Sequence, residues 1–237
     1  IAKSLLQRDR RAELIGHAED ELLYPYALQA VSTNGNDPIA RVLELAPPNE
    51  ALADVWMDTV MALAVKAPSN RILELDELVG ATPHATDILR TRLLSGIIAD
   101  RELEPDLHRS VLKRLVPMLL EQDAAAAALT HIRGLPTEAL DDDLESLQFI
   151  SAIRARLYDD AASMQSDPAM WILAHQDTLA SRPESAVDLQ GEIARRFNDQ
   201  LTAEHRAQLG LVDDPLMQPD DDTTADPETP GESDATP

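Results

Sequence analysis

Apolar residues recur at three- and four-residue spacing along nearly the whole chain, the pattern of amphipathic helices. Residues 1–16 and 18–32 read as two helices, with Leu5, Leu6, Ile15, Leu22, Leu23, Tyr26 and Leu28 on their apolar faces, before Ser32–Asn36 breaks the pattern as a loop. Asp37-Pro38 opens the next helix: Asp caps unpaired backbone N–H groups, and Pro at the first helical position gives up no needed donor. That helix runs to about Ala46, Pro47-Pro48-Asn49 ends it, and residues 50–66 resume with Leu52, Val55, Trp56, Val60, Leu63 and Ala64 on one stripe. Further helices are predicted over 69–79, 83–99 (opened by Thr82-Pro83), 105–121, 123–133 and 137–158. Two more follow Asp167-Pro168 and Pro183, the second reaching Leu201, with a short one over 203–209. Pro117 lies inside the stripe of 105–121 and is expected to kink that helix or split off its last turn.

Five prolines punctuate these starts. Pro38, Pro68, Pro105, Pro136 and Pro168 are separated by 30, 37, 31 and 32 residues. Within this rhythm Arg41-Val42-Leu43-Glu44-Leu45 is echoed by Arg71-Ile72-Leu73-Glu74-Leu75, with a fainter trace at Arg101-Glu102-Leu103-Glu104. Self-similarity at such a period marks helical units that stack on their neighbours. The expected architecture is all-α: stacked antiparallel helical hairpins over residues 1–211.

Composition sharpens this reading. Seven aromatic residues and eight glycines in 237 leave a core of Leu, Ala, Ile, Val and Met, which favours helices over sheets. Residues 212–237 contain nine acids, no base and five prolines, and are expected to form a disordered acidic tail. Those nine acids belong to a net charge of −23, so residues 1–211 still carry −14. Such a field repels phosphate backbones, which argues against nucleic acid and anionic membranes as partners. The best basic cluster, Arg8, Arg10 and Arg11, is followed by Glu13 and spreads around a helix, so it reads as solvated surface. No apolar run approaches a membrane span, and the start at Ile1 lacks the apolar region of a signal peptide, which points to a fragment or processed product. A soluble protein is expected, and the absence of cysteine leaves cytoplasm and periplasm both open.

Chemistry is sparse. Phosphate-cradling glycine loops are missing, and Leu94-Ser95-Gly96 lacks the first glycine of a nucleophile elbow, so Ser95 reads as packing. The six histidines are dispersed; Glu13 with His17 and Glu104 with His108 are four apart and read as surface pairs, not metal ligands. Paired carboxylates such as Asp54, Asp58, Asp76 and Glu77 would suit a helical glycoside hydrolase, but acids are too abundant here for any pair to be informative. No catalytic, cofactor-binding or metal-binding residue is assigned. Trp56 and Trp171 occupy apolar helix faces and read first as core; the alternative makes them, with Tyr26, anchors in a partner groove.

The segment from Met118 through Leu129 to Pro136 resembles the tetratricopeptide-like class of α-solenoids, with the end of a first helix, a tight turn, an alanine-rich second helix and a closing proline. With Pro136 as the closing proline, Ala124 falls on the small position of the second helix; Leu22 and Tyr26 match large first-helix positions, and Gly35 a small one. Leu112 stands where that class prefers a small residue, and the unit length varies. The resemblance implies a scaffold that binds a protein or peptide in a concave groove. Two other readings are kept: a closed helical bundle serving as a structural or regulatory domain, and a helical carboxylate hydrolase.

Overall fold

The computed structural model describes residues 21–33 and 37–211. Within them the chain forms twelve α-helices, three 3-10 turns and no strand. In chain order these are α1 (Tyr24–Ser32), α2 (Pro38–Glu44), α3 (Glu50–Ala64), α4 (Ile72–Gly80), α5 (Asp87–Asp100), α6 (Pro105–Glu121), α7 (Ala125–Arg133), α8 (Asp142–Arg154), α9 (Tyr158–Met164), α10 (Pro168–Ser181), α11 (Pro183–Phe197) and α12 (Ala203–Gln208). The protein is all-α, as the periodicity predicts.

Side-chain caps set many of the starts. Asp37 accepts from the Ala40 amide at 3.1 Å, Asn49 from Leu52 at 3.1 Å, Asp141 from Leu144 at 3.2 Å, Asp167 from Ala169 at 2.9 Å and Thr202 from His205 at 3.2 Å. Each cap satisfies an amide that has no partner within the helix. The rhythmic prolines serve the same boundaries. Pro38, Pro105 and Pro168 are the first residues of α2, α6 and α10, whereas Pro68 and Pro136 precede the 3-10 turns Ser69–Arg71 and Thr137–Ala139.

Every helix pair with substantial packing consists of first or second neighbours along the chain. α1, α2 and α3 pack mutually; α3 leans on α5, α6 on α8, α8 on α10 and α10 on α12. Two polar cross-links reach back over a similar distance. Arg71 pairs with Asp37 at 2.7 Å, and Arg101 donates to the Ala67 carbonyl at 2.7 Å, each reaching 34 residues back. These two arginines begin the echoed Arg-Ile-Leu-Glu-Leu and Arg-Glu-Leu-Glu segments.

Two apolar clusters fill the interior, one from Tyr24 to Leu144 and one from Leu129 to Leu209. α7 and α8 supply residues to both and so join them. The first is aliphatic around Trp56, whose indole N–H donates to the Val42 carbonyl at 2.9 Å. In the second, Trp171 meets Phe149 and Phe197 edge-on with ring centroids 5.7 and 5.6 Å apart. Gly96 allows α3 and α5 to approach, because a Cβ there would lie 2.6 Å from the Met61 methyl.

Several predicted boundaries are corrected. Thr82-Pro83 does not open a helix: α5 starts at Asp87, and His84 sits at φ 63° in the turn before it. The predicted helix over 137–158 is three elements, a 3-10 turn, α8 and α9, because Asp141 caps a later start and Arg156 at φ 59° ends α8. Asp123, at φ 61°, delays α7 to Ala125. α6 runs through Pro117 to Glu121 as one helix, so Pro117 does not split off its last turn. The Arg8, Arg10 and Arg11 cluster, the Glu13 and His17 pair, Gly35 and the predicted tail lie outside the described residues.

Candidate functional site

Helical periodicity gives α10 two faces. Trp171, Ile172, Ala174, His175 and Thr178 turn inward, while Met170, Leu173 and Asp177, at i, i+3 and i+7, form a stripe on the other side. α8 presents a matching stripe of Asp142, Glu145, Ser146 and Phe149. Where the α8 stripe meets Met170 lies a cleft of about 360 Å³, lined also by Thr137, Leu140, Gln148, Met164 and Gln165, so that six of its ten lining residues are polar. A narrower apolar notch of about 40 Å³ continues it past Ile150, Leu173, Ala174 and Asp177.

The floor is apolar and firmly backed. Phe149 is held by the edge of Trp171, whose indole N–H donates to the Gln165 carbonyl at 2.8 Å. Arg196 stacks over Trp171 with its guanidinium carbon 5.8 Å from the ring centre, and is itself tied to Asp159 and Glu192, each at 2.5 Å. Burial works to raise the Glu192 pKa, but hydrogen bonds from Arg195 and Arg196 outweigh it and hold the carboxyl below its usual range. Flexible Met164 and Met170 at the walls let the cleft adapt to different shapes.

Its rim is acidic. Asp142, Glu145 and Asp177 line the cleft and its notch, no Lys or Arg does, and none of the three acids has an ion-pair partner among the described residues. Most other carboxylates that the sequence brings forward are neutralised. Asp54 and Asp58 both pair with Arg92; Asp76 is clamped by Arg90 and Arg114, and Glu77 pairs with Arg114 at 2.7 Å. Carboxylate oxygens engaged by guanidinium groups are not free to contact a substrate.

A second cleft, of about 510 Å³, lies where α6 begins and α7 ends, lined by Arg101, Glu104, His108 and Pro136 among others. Glu104 and His108 share this wall. Burial, then the nearby charge of His131, pushes the His108 pKa down. Among the described residues no group of three or more His, Asp or Glu side chains converges as metal ligands would.

The residues considered as groove anchors fall elsewhere. Trp56 and Trp171 are fully buried and present no surface to a partner, so both are core residues, and Trp171 only backs the groove floor. Tyr26 is half-buried beside Leu23 and Ala30, far along the chain from α8 and α10. The side chains that do form the groove, Met170, Leu173 and Phe149, carry a weak signal in the sequence. α10 is apolar around most of its circumference, and its spacing does not distinguish the buried side from the open one.

No protein-family model, curated protein or solved structure matches the chain.

Proposed function

We propose that this protein is a non-enzymatic interaction module: a stack of antiparallel helical hairpins, tetratricopeptide-like in plan, that holds a segment of a peptide or protein partner. The observation that carries this reading is the open cleft between α8 and α10, which combines an apolar floor with uncompensated charge at its rim. Grooves of this kind bind by shape and a few anchored side chains rather than by chemistry. The first- and second-neighbour order of the strongly packed helix pairs and the struts that reach 34 residues back support an array over a closed bundle. Arginine clamps on Asp54, Asp58, Asp76 and Glu77 weigh against a carboxylate hydrolase. No described helix is long and apolar enough to cross a membrane.

Affinity capture with the full chain as bait tests the reading. A partner retained by the wild type and by Ile88→Gln, an exposed apolar position on α5, is expected to be lost with Leu173→Gln. Failure to capture a partner, or capture indifferent to Leu173, refutes the groove as the binding site.

A further inference from the structure

The rim of the groove specifies more than its floor. Asp142 and Glu145 on α8 line the larger cleft and Asp177 on α10 lines the adjoining apolar notch, with no cation in either lining to balance them. The neighbouring acids differ: Asp141 and Asp143, on either side of Asp142, share Lys113 at 2.9 and 2.5 Å. Asp142 is passed over by that lysine and borders the cleft instead.

We propose that the occupant is a cationic amphipathic segment of another protein, with Leu- or Met-sized side chains in the cleft and Lys or Arg against Asp142, Glu145 and Asp177. The inference rests on the groove reading above and names the chemistry of its ligand. An apolar floor supplies affinity without selecting charge; the unbalanced rim selects it, attracting cations and repelling anions. The same field disfavours the chain's own C-terminal residues, since 212–237 carry nine acids and no base, and it disfavours a second copy of a chain whose net charge is −23. Exposed Leu173, 54% accessible, sits beside Asp177 one helical turn on, so one anchor and one charge contact lie on a single face of α10.

The test uses the full chain and three fluorescein-labelled amphipathic probes of about twelve residues, ~18 Å long as a helix. They share their Leu positions and carry Lys, Gln or Glu at the polar ones. The Lys probe is expected to bind tightest in fluorescence anisotropy and to weaken as NaCl rises from about 50 to about 300 mM. Asp142→Asn/Glu145→Gln/Asp177→Asn is expected to weaken it roughly tenfold, the combined effect of three exposed charge contacts. Glu44→Gln/Asp100→Asn/Glu121→Gln removes the same net charge away from the groove and is expected to change binding less than about twofold. Equal loss in both triple variants means non-specific attraction and overturns the proposal. Equal binding of the Gln probe, still abolished by Leu173→Gln, overturns the cationic ligand but leaves the groove standing; indifference of every probe to Leu173→Gln counts against both. Concentration-dependent dimerisation lost in the groove triple variant would replace the foreign segment with a second copy of the chain.

Discussion

Replacing Asp76 by Asn probes the tightest electrostatic joint in the fold. Its carboxylate is fully buried on α4 and accepts from Arg90 Nε at 3.1 Å, Arg90 Nη2 at 3.0 Å and Arg114 Nη1 at 3.2 Å. The carboxylate in turn raises the Arg90 pKa, chiefly through these hydrogen bonds. Charge-assisted bonds are each worth about 1.5–3 kcal/mol, so three would total roughly 5–9 kcal/mol if nothing relaxed. Arg90 and Arg114, however, remain 26% and 32% accessible and can recover water, and Arg114 keeps Glu77 and the Leu73 carbonyl. The expected cost is therefore that of breaking one side of a buried pair, about 3–5 kcal/mol. For a chain of this size that corresponds to a Tm lower by roughly 6–20 °C. The control is Asp58→Asn, whose carboxylate is 64% accessible beside Arg92 and should cost no more than about 1 kcal/mol. Urea titration followed by circular dichroism measures both. An Asp76→Asn loss under about 1 kcal/mol, or one no larger than that of Asp58→Asn, refutes the claim that burial makes this clamp a principal support of α4, α5 and α6.

Three other expectations follow from the architecture. Trp56 and Trp171 stand in different apolar clusters, so Trp171→Phe and Trp56→Phe variants report on each cluster separately; a neighbour-only stack should give different urea midpoints for the two probes, and superimposable curves would favour a closed cooperative bundle. Asp37 has its pKa lowered by the Ala40 amide and by Arg71, so its contribution is present above the ordinary carboxylate range and lost as pH falls through its folded value. Asp37→Ala should cost about 1 kcal/mol at pH 7 and much less at about pH 2, and an equal loss at both would exclude the ionised cap as the cause. Burial lowers the pKa of His108 and His131, so the unfolded chain takes up their protons first and stability should fall as pH drops below about 6.5. His108→Gln/His131→Gln should flatten that part of the profile, and an unchanged slope would place its source elsewhere.

Much of the fold was legible because helix starts are local. Asp37-Pro38 and Asp167-Pro168 carry their cap and first residue in two adjacent positions, and the structure uses both as written. Thr82-Pro83 carries a similar signature and is a turn, since His84 takes a left-handed conformation that no spacing rule announces. The break at Arg156 is of the same kind, and it separates α9 from a pattern that reads as one long helix. Of the groove, only the apolar character of its helices could be read. Trp171 is the most conspicuous residue of α10 and lies beneath the floor, while Leu173, less conspicuous, is on the surface.

The sequence by itself determined that the chain is helical, where most helices begin, and that its charge is strongly negative, because these depend on contacts within a turn or on composition alone. Tertiary structure decided which acids are neutralised and which stay open. Asp141, Asp142 and Asp143 are chemically alike and adjacent, yet Lys113 on α6 takes the two outer ones and leaves Asp142 at the cleft. That division depends on where α6 packs against α8, roughly thirty residues away in the chain, and no local pattern encodes it.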